Sequence, residues 1–372
     1  MKKTLNLAFL GGGINSAVGK THVLASQLDS NWKIVGGKFS RDIEISRKSA
    51  RDYSVLNIFE DFNRKVIEVN KIDVVAVLTP TPSHFEQVLE LLNLGVDVIC
   101  EKSISTSSKE AEIIASEAIK LNRKVYVTFN YTGFPMVREI KKRIKDGELG
   151  ELHHVRIEMP QESFIKNSEN PTRVRVQEWR TLDYSLPTVM LDLGVHVINL
   201  IHFLTGNQMI SVFSLGSHHG KVNNVIDEVN MLGNYKGGMH ANIWFGKTYL
   251  GHRNGLRIQL YGNMGSIQWN LQSPDIFVQT DNYGNDKLIH LDTLDLKIAN
   301  LPEYNRFKPG HPTGFIEAFA NCYNDIYLDL ISESNQNFSK QFVFNANQAS
   351  LGLKELEAAF ESSISETMRQ II

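Results

Sequence analysis

Cysteine is nearly absent from this chain: Cys100 and Cys322 are the two in 372 residues, and neither belongs to a spaced motif. No disulfide framework or cysteine-rich metal site organises the fold, and a reduced, cytoplasmic setting is expected. Long hydrophobic runs are missing too. None reaches the roughly 18 residues that cross a bilayer, so no membrane partner is expected. The opening MKKTLNLAFL is basic and then apolar. It runs into glycines instead of a small-residue cleavage site, which argues against a signal peptide. An excess of either charge is also lacking: 39 Lys and Arg stand against 41 Asp and Glu, a formal net charge of −2. That balance leaves no electrostatic footprint for nucleic acid, and no nucleic-acid partner is expected. There is no internal repeat and no low-complexity run. What remains is an ordinary globular composition, 42% apolar and 22% charged, in a length that suggests two domains at about 150 residues each.

The most informative stretch is Leu5 to His22, LNLAFLGGGINSAVGKTH. Its apolar start, Leu5 to Leu10, is short enough for a buried parallel strand. Gly11, Gly13 and Ser16 follow at the spacing G-x-G-x-x-G, with Ser16 in the last place. In that pattern the first glycine makes the tight turn. The second lets the backbone approach a pyrophosphate, and the small third residue lets helix and strand pack closely. The phosphates then face the N–H groups of a helix N-terminus. Gly11, Gly13, Ile14 and Asn15 are therefore candidate cofactor contacts. A glycine-rich strand-to-helix turn without a ligand is the competing reading; the preceding strand and the N-terminal position favour the dinucleotide.

Strand-like and helix-like segments alternate to about Asn130. Strands are expected at Trp32–Phe39, Asp73–Thr79, Asp97–Cys100 and Lys124–Phe129, and helices at Arg41–Tyr53, Phe59–Val69, Ser83–Leu94 and Ser107–Leu121. This series predicts an α/β doubly wound parallel sheet, whose ligands bind outside the carboxyl ends of the strands. The second strand ends at Ser40 and Arg41, with Asp42 next. An acid there holds the ribose 2′-hydroxyl of NAD, and an arginine accommodates the 2′-phosphate of NADP. Ser40 and Arg41 lean towards NADP, with a solvated helix start as the rival role for Arg41. The third strand runs into Thr79-Pro80-Thr81-Pro82-Ser83-His84, a proline-stiffened turn with Ser83 as a plausible N-cap. Thr79, Pro80 and His84 are candidates to lie over the nicotinamide half. The fourth ends in Glu101-Lys102, both cofactor-site candidates. Lys102 can donate to a substrate hydroxyl or help move its proton; a surface ion pair is the bland alternative.

Past Asn130 the alternation breaks. A helix is expected from Pro135 to Asp146, stopped by Gly147, then a strand from Leu152 to Met159. Several strand-like runs with turn glycines follow between about Ser211 and His290, which predicts a mostly antiparallel sheet and an α+β second domain. The expected division is 1–131 for dinucleotide binding and 132–372 for substrate binding and oligomerisation. Asp192 and His196 stand four apart on one helix face, with Asn199 three further on. A carboxylate and an imidazole so placed can bind a sugar hydroxyl and exchange its proton. No third ligand is evident, so no metal is expected. Gly194 between them costs about 1 kcal/mol against alanine in a helix. That cost points to a close approach, by cofactor or substrate. Trp179 can stack on a sugar face and Arg180 can grip a hydroxyl or an anion. Tyr131 and His311 complete the substrate-binding candidates.

In this order, at these strand ends, the glycine turn, the Thr79–His84 loop and the Glu101-Lys102 pair resemble the Gfo/Idh/MocA oxidoreductases, which include glucose-fructose oxidoreductase and inositol dehydrogenase. Asp192 and His196 are similar to that family's Asp-x-x-x-His substrate pair, and Lys102 falls on its catalytic lysine. The family's usual Glu-Lys-Pro is here completed by Ser103. The segment around His311, together with Trp179 and Arg180, resembles a sugar-oxidising branch. The resemblance covers nearly the whole chain and implies a Rossmann domain followed by an open mixed sheet with helices on one side. It also implies NAD(P) as cofactor and a homodimer or homotetramer. The expected reaction is hydride transfer between nicotinamide and a secondary alcohol or ketone of a sugar or cyclitol. His196 would be the general base, because imidazole titrates near neutrality. Lys102 would steady the reacting oxygen, and Asp192 would anchor a neighbouring hydroxyl or orient His196; the roles of Lys102 and His196 are exchangeable. Two alternatives stay open. One is a sugar-nucleotide dehydrogenase of polysaccharide synthesis, whose anionic substrate Arg173, Arg175 and Arg180 would serve. The other is a non-catalytic cofactor-binding regulator.

Overall fold

Val74, Val75, Ala76 and Val77 leave no polar position for a solvent face, and all are buried in β3 (Val74–Leu78). β3 is the central strand of a five-stranded parallel sheet ordered β2-β1-β3-β4-β5. Its other strands are β1 (Leu5–Gly11), β2 (Trp32–Lys38), β4 (Asp97–Cys100) and β5 (Val125–Val127). The crossovers carry α1 (Gly19–Gln27), α2 (Ile43–Asp52), α3 (Arg64–Asn70), α4 (His84–Asn93) and α5 (Ser108–Lys120). Because the strands are parallel, the residues that follow β1 to β4 share one edge of the sheet. The winding direction reverses between β1 and β3, the switch point at which such sheets bind ligands.

The computed structural model describes residues 3–167, 176–222, 224–308, 310–332 and 338–371. They fall into two units, 1–133 with 314–350, and 134–313 with 351–372. Residues 314–350 bring α8 (Phe315–Ile331) to the first unit through an aromatic face. Phe319 and Tyr323 meet the His22 ring edge-on, and the Trp32 indole donates to the Tyr323 carbonyl at 3.2 Å.

Two local expectations are corrected here. The helix expected from Phe59 begins at Arg64, where the Asn63 side chain accepts the Val66 N–H at 3.0 Å. Upstream, Phe59 donates its N–H to the Gly37 carbonyl, and its ring lies over Gly36, where a Cβ would come within 2.3 Å of it. Backbone pairing to β2 wins over helical winding there. Ser83 does not cap α4 with its side chain. It already has helical dihedrals inside the short 3₁₀ turn Thr81–Ser83, and a cap needs an extended backbone.

The second unit is built on a nine-stranded open sheet ordered β13-β12-β11-β10-β6-β9-β8-β7-β14. The strands are β6 (Leu152–Pro160), β7 (Met209–Ser217), β8 (Glu228–Tyr235), β9 (His240–Gly246), β10 (Arg257–Gly262), β11 (Gly265–Asn270), β12 (Ile276–Asp281), β13 (Asp286–His290) and β14 (Arg369–Gln370). β6 and β9 pair in parallel and the other neighbours antiparallel. Period-two patterning sets its faces. Val229, Met231 and Tyr235 of β8 and Ala241, Ile243 and Phe245 of β9 are buried. Asn230, Leu232, His240 and Asn242 alternate with them and are exposed. α6 (Pro135–Lys145), α7 (Val195–Thr205) and the part of α9 (Ala346–Ser365) from residue 351 onward supply the helices.

The two helix starts give a direct comparison. Asn63→Ala should destabilise the protein by about 1 kcal/mol, and Ser83→Ala should leave it within experimental error. Denaturant unfolding reads both; equal losses would contradict this account of the helix starts.

Candidate active site

The end of β1 has no room for side chains. Gly11 and Gly12 hold φ of +84° and +74°, a region that favours glycine. A Cβ on Gly11 would lie 2.8 Å from the main-chain nitrogen of Thr79. A Cβ on Gly19, the first residue of α1, would fall 1.9 Å from the Gly12 carbonyl oxygen. Helix and strand thus approach backbone against backbone at Gly19. This corrects the expectation that Ser16 fills the close-packing position. Ser16 instead accepts the Val18 and Gly19 N–H groups on its hydroxyl at 3.3 and 3.1 Å. The turn is pinned further by Gly13 N–H to the Phe39 carbonyl (3.0 Å) and Ile14 N–H to Ser49 Oγ (2.9 Å). The Tyr53 hydroxyl donates to the Gly12 carbonyl at 3.0 Å. Ile14 and Asn15 lie exposed on its outer side.

At the end of β2, Asp42 is engaged as the N-cap of α2, accepting the Glu44 N–H at 2.8 Å. Ser40 Oγ accepts the Asp42 N–H at 3.1 Å, and Arg41 is exposed. At the end of β3, the Thr79 hydroxyl donates to Gln87 Oε1 at 2.6 Å, and Pro80 is exposed. His84 is buried beneath this loop. Its Nδ1 lies 2.7 Å from the Ser103 carbonyl and its Nε2 2.7 Å from the Thr79 carbonyl, so the ring braces the β3 loop against the β4 loop. Burial lowers the His84 pKa against the pull of both carbonyls.

At the end of β4, Glu101 is buried and Lys102 half-buried. Glu101 Oε1 lies 3.0 Å from His22 Nε2 and also takes the Thr128 hydroxyl, while His22 Nδ1 lies 2.9 Å from the Tyr323 hydroxyl. Burial disfavours the Glu101 carboxylate, yet the bond and charge of His22, the Lys102 ammonium and the Thr128 hydroxyl outweigh it. The net shift is downward. Glu101 is therefore an anchor inside the first unit, and the side chain after it, Lys102, is the one with access to solvent.

In the second unit, Met190–Gly194 is a π-helical turn, in which the Val195 N–H reaches five residues back to the Met190 carbonyl. Such turns occur often at functional sites. Asp192 sits in this turn, and His196 and Asn199 follow in α7; all three are buried. Arg180 straddles the Asp192 carboxylate, Nε to Oδ2 at 3.2 Å and Nη2 to Oδ1 at 3.3 Å. The Lys247 ammonium donates to Oδ2 as well. Asn199 Oδ1 is buried without a hydrogen-bond partner among the described residues. At Gly194 the structure shows a close approach of side chains from the second unit: a Cβ there would meet Leu356 Cδ2 at 2.9 Å and Phe245 Cζ at 3.0 Å.

Of the remaining candidates, Trp179 lies under the Arg180 guanidinium at 4.3 Å and donates its indole N–H to Gln177 Oε1 at 3.3 Å. Tyr131 is buried in the first unit with its ring 6.5 Å from that of Phe315. His311 is exposed on its turn, Nδ1 3.1 Å from the Lys308 carbonyl. Arg173 and Arg175 lie outside the described residues. Three residues with evident roles escaped the reading of the sequence: Gly19, His22 and Lys247. Gly19 was visible as a glycine opening a helical segment, three places beyond the motif. His22 and Lys247 sit in an ordinary helix and at an ordinary strand end, and nothing local marks them.

A nicotinamide dinucleotide fits the edge of the five-stranded sheet. The β1–α1 turn presents main chain where a Cβ could not be placed, it leads into a helix N-terminus, and Ser40 and Arg41 stand at the neighbouring strand end. Among the described residues, no group of three or more His, Cys, Asp or Glu is arranged to hold a metal ion, and no helix is long and apolar enough to cross a membrane.

Comparison with known proteins gives a consistent picture. Residues 5–129 match the model described as "Oxidoreductase family, NAD-binding Rossmann fold". Residues 137–268 match the GFO/IDH/MocA C-terminal domain. The uncharacterized oxidoreductase YfiI of Bacillus subtilis (strain 168) is 25% identical over 98% of this chain and 95% of its own. Levoglucosan dehydrogenase of Pseudarthrobacter phenanthrenivorans is 24% identical over 73% of this chain and 75% of its own. An inositol dehydrogenase homolog from Azotobacter vinelandii, solved with NADH and myo-inositol, superposes with a TM-score of 0.88 at 23% identity. It covers 99% of this chain and 98% of its own, and the likeness is one of fold.

Two outcomes test this geometry. Gly19→Ala should cost about 1–3 kcal/mol through overpacking and weaken dinucleotide binding, read by denaturant unfolding and a fluorescence titration with NADH and NADPH. A variant of unchanged stability and affinity would refute the backbone contact. Glu101, with its folded pKa depressed, adds stability above its unfolded pKa of about 4.3. That contribution fades as pH falls through the lower folded value. The stability gap between wild type and Glu101→Gln should therefore be widest at neutral pH and close on acidification. A gap independent of pH would contradict the assignment.

Proposed function

The chain belongs to the GFO/IDH/MocA oxidoreductase family, and on that premise we propose that it is an NAD(P)-dependent dehydrogenase acting on a secondary alcohol or ketone of a sugar or cyclitol. One observation carries the reading. On a single edge of the parallel sheet, a turn of bare main chain at β1 accompanies a half-buried lysine at the end of β4. The named activities of the levoglucosan relative and the inositol dehydrogenase homolog support the substrate class.

The nicotinamide, when bound, supplies the hydride chemistry. The main chain at Gly11, Gly12 and Gly13 and the start of α1 would hold the pyrophosphate, with Ile14 and Asn15 flanking it. Thr79 and Pro80 would contact the nicotinamide half, with His84 as the brace beneath them. Lys102 would donate a hydrogen bond to the reacting oxygen and steady the charge that develops there. His196 would accept the hydroxyl proton as the carbon–hydrogen bond breaks, and return it in the reverse direction. Asn199, whose buried amide oxygen has no partner among the described residues, would accept a hydrogen bond from a neighbouring substrate hydroxyl. Asp192 already receives Arg180 and Lys247; its role is to hold the polar face of that turn in place. Arg180 is committed to Asp192, which favours a neutral polyol over a sugar nucleotide.

We extend the proposal to cofactor choice and assembly. Asp42 is spent on capping α2, so Ser40 and Arg41 are left to meet the adenosine ribose, and the preference leans to NADP. Outward-facing Phe213, Leu215 and Leu232 on the nine-stranded sheet support the homodimer or homotetramer implied by the family resemblance. Size-exclusion chromatography with light scattering tests that reading, and a monomer at micromolar concentration would reject it.

The catalytic roles are tested with the substrate that turns over fastest in a panel of sugars and cyclitols. Lys102→Ala and His196→Ala should each lower kcat by about 10² to 10⁴ with little change in cofactor affinity. Normal rates in both variants would exclude the assignment. Arg41→Ala should reduce kcat/KM for NADP about tenfold more than for NAD, the worth of one charge-assisted contact. An equal effect on the two cofactors would remove Arg41 from the phosphate site.

A further inference from the structure

Lys247 stands directly after β9 and is 4% exposed. Its main chain is fixed on both sides: its N–H donates to the Asp227 carbonyl at 2.8 Å, and its carbonyl accepts the Phe164 N–H at 2.9 Å. The side chain runs past the Phe164 ring, with the ammonium 5.0 Å from its centroid, and ends on Asp192 Oδ2. Burying an ammonium is costly unless it is paired and hydrogen-bonded. Methionine would fill a similar volume without that cost. Here the charge is turned onto a carboxylate that Arg180 already straddles through two nitrogens. Both Asp192 oxygens are thus held by cations that come from separate parts of the chain, the 3₁₀ turn Glu178–Thr181 and the end of β9.

We propose that Lys247 is a positioning residue of the dehydrogenase site: it acts through Asp192, locking that carboxylate and the π-helical turn that carries it into one arrangement. The inference rests on the function proposed above. The consequence is specific. A cation at position 247 matters only while a carboxylate stands at 192, and a longer guanidinium serves in place of the ammonium.

The test is a double-mutant cycle with Lys247→Met, Asp192→Asn, the two together, and Lys247→Arg. Melting temperature reads the pair without any substrate. Each single variant should melt lower than wild type, and the double variant should melt no lower than the worse single. In turnover, Lys247→Met should lower kcat/KM about ten- to a hundredfold, mostly in kcat, with cofactor affinity unchanged. Lys247→Arg should recover to within a few-fold of wild type, and Lys247→Met should cost nothing further in the Asp192→Asn background. Additive losses in melting temperature, failure of the arginine rescue, or a further loss in the Asp192→Asn background would overturn the proposal. Non-additive melting in a protein that turns over no sugar or cyclitol would uphold the Lys247–Asp192 lock and reject the dehydrogenase reading instead.

Discussion

The contact on which the first unit depends is between two backbones. Gly19 brings α1 so near the end of β1 that a single added carbon would overlap the Gly12 carbonyl. The proximity fixes where the helix begins, and so where its N–H groups point. Beside it, Gly11 and Gly12 adopt dihedrals that favour glycine, and the turn at the switch point of the sheet carries no side chain at three successive positions. Tyr53, Phe39 and Ser49 then hold the turn from the α2 side. A dinucleotide site is consistent with each of these features.

The second recurrent constraint is the burial of carboxylates. Glu101 and Asp192 belong to different units and are held by different means, yet the physical solution is the same. A buried carboxylate survives when its oxygens are taken up by donors, preferably cationic ones. Glu101 has His22 and Thr128; Asp192 has Arg180 and Lys247. In both cases the neighbouring chain carries the candidate chemistry. Lys102 follows Glu101, and His196 follows Asp192 by four residues. On the proposed function, these anchors hold the main chain from which Lys102 and His196 extend.

The architecture was legible in the sequence because it rests on periodicity. Val74 to Val77 have no polar alternate and sit in the centre of a parallel sheet, while β8 and β9 alternate strictly and have one outward face. The place of Lys102 just past the end of β4 was legible because a charged pair closed an apolar strand. What was not legible depends on distances between segments remote in sequence. The motif spacing assigned helix–strand packing to Ser16, but loop length is set by where α1 meets Gly12, which is at Gly19. Asp192 read as part of a regular helix face, but the π-helical turn and the two cations are tertiary facts. Gly194 read as room for a ligand, and it is room for Leu356 and Phe245. A glycine reports that something comes close; its identity is decided by the rest of the fold.

The central claim is that hydride passes between a polyol carbon and the nicotinamide. The most direct measurement follows deuterium from sugars and cyclitols labelled at their secondary carbinol carbons into the cofactor, by NMR, with NAD and NADP in parallel. The account predicts label on the reduced nicotinamide from at least one polyol, and its loss in Lys102→Ala. Tight cofactor binding with no label transferred from any polyol would contradict it.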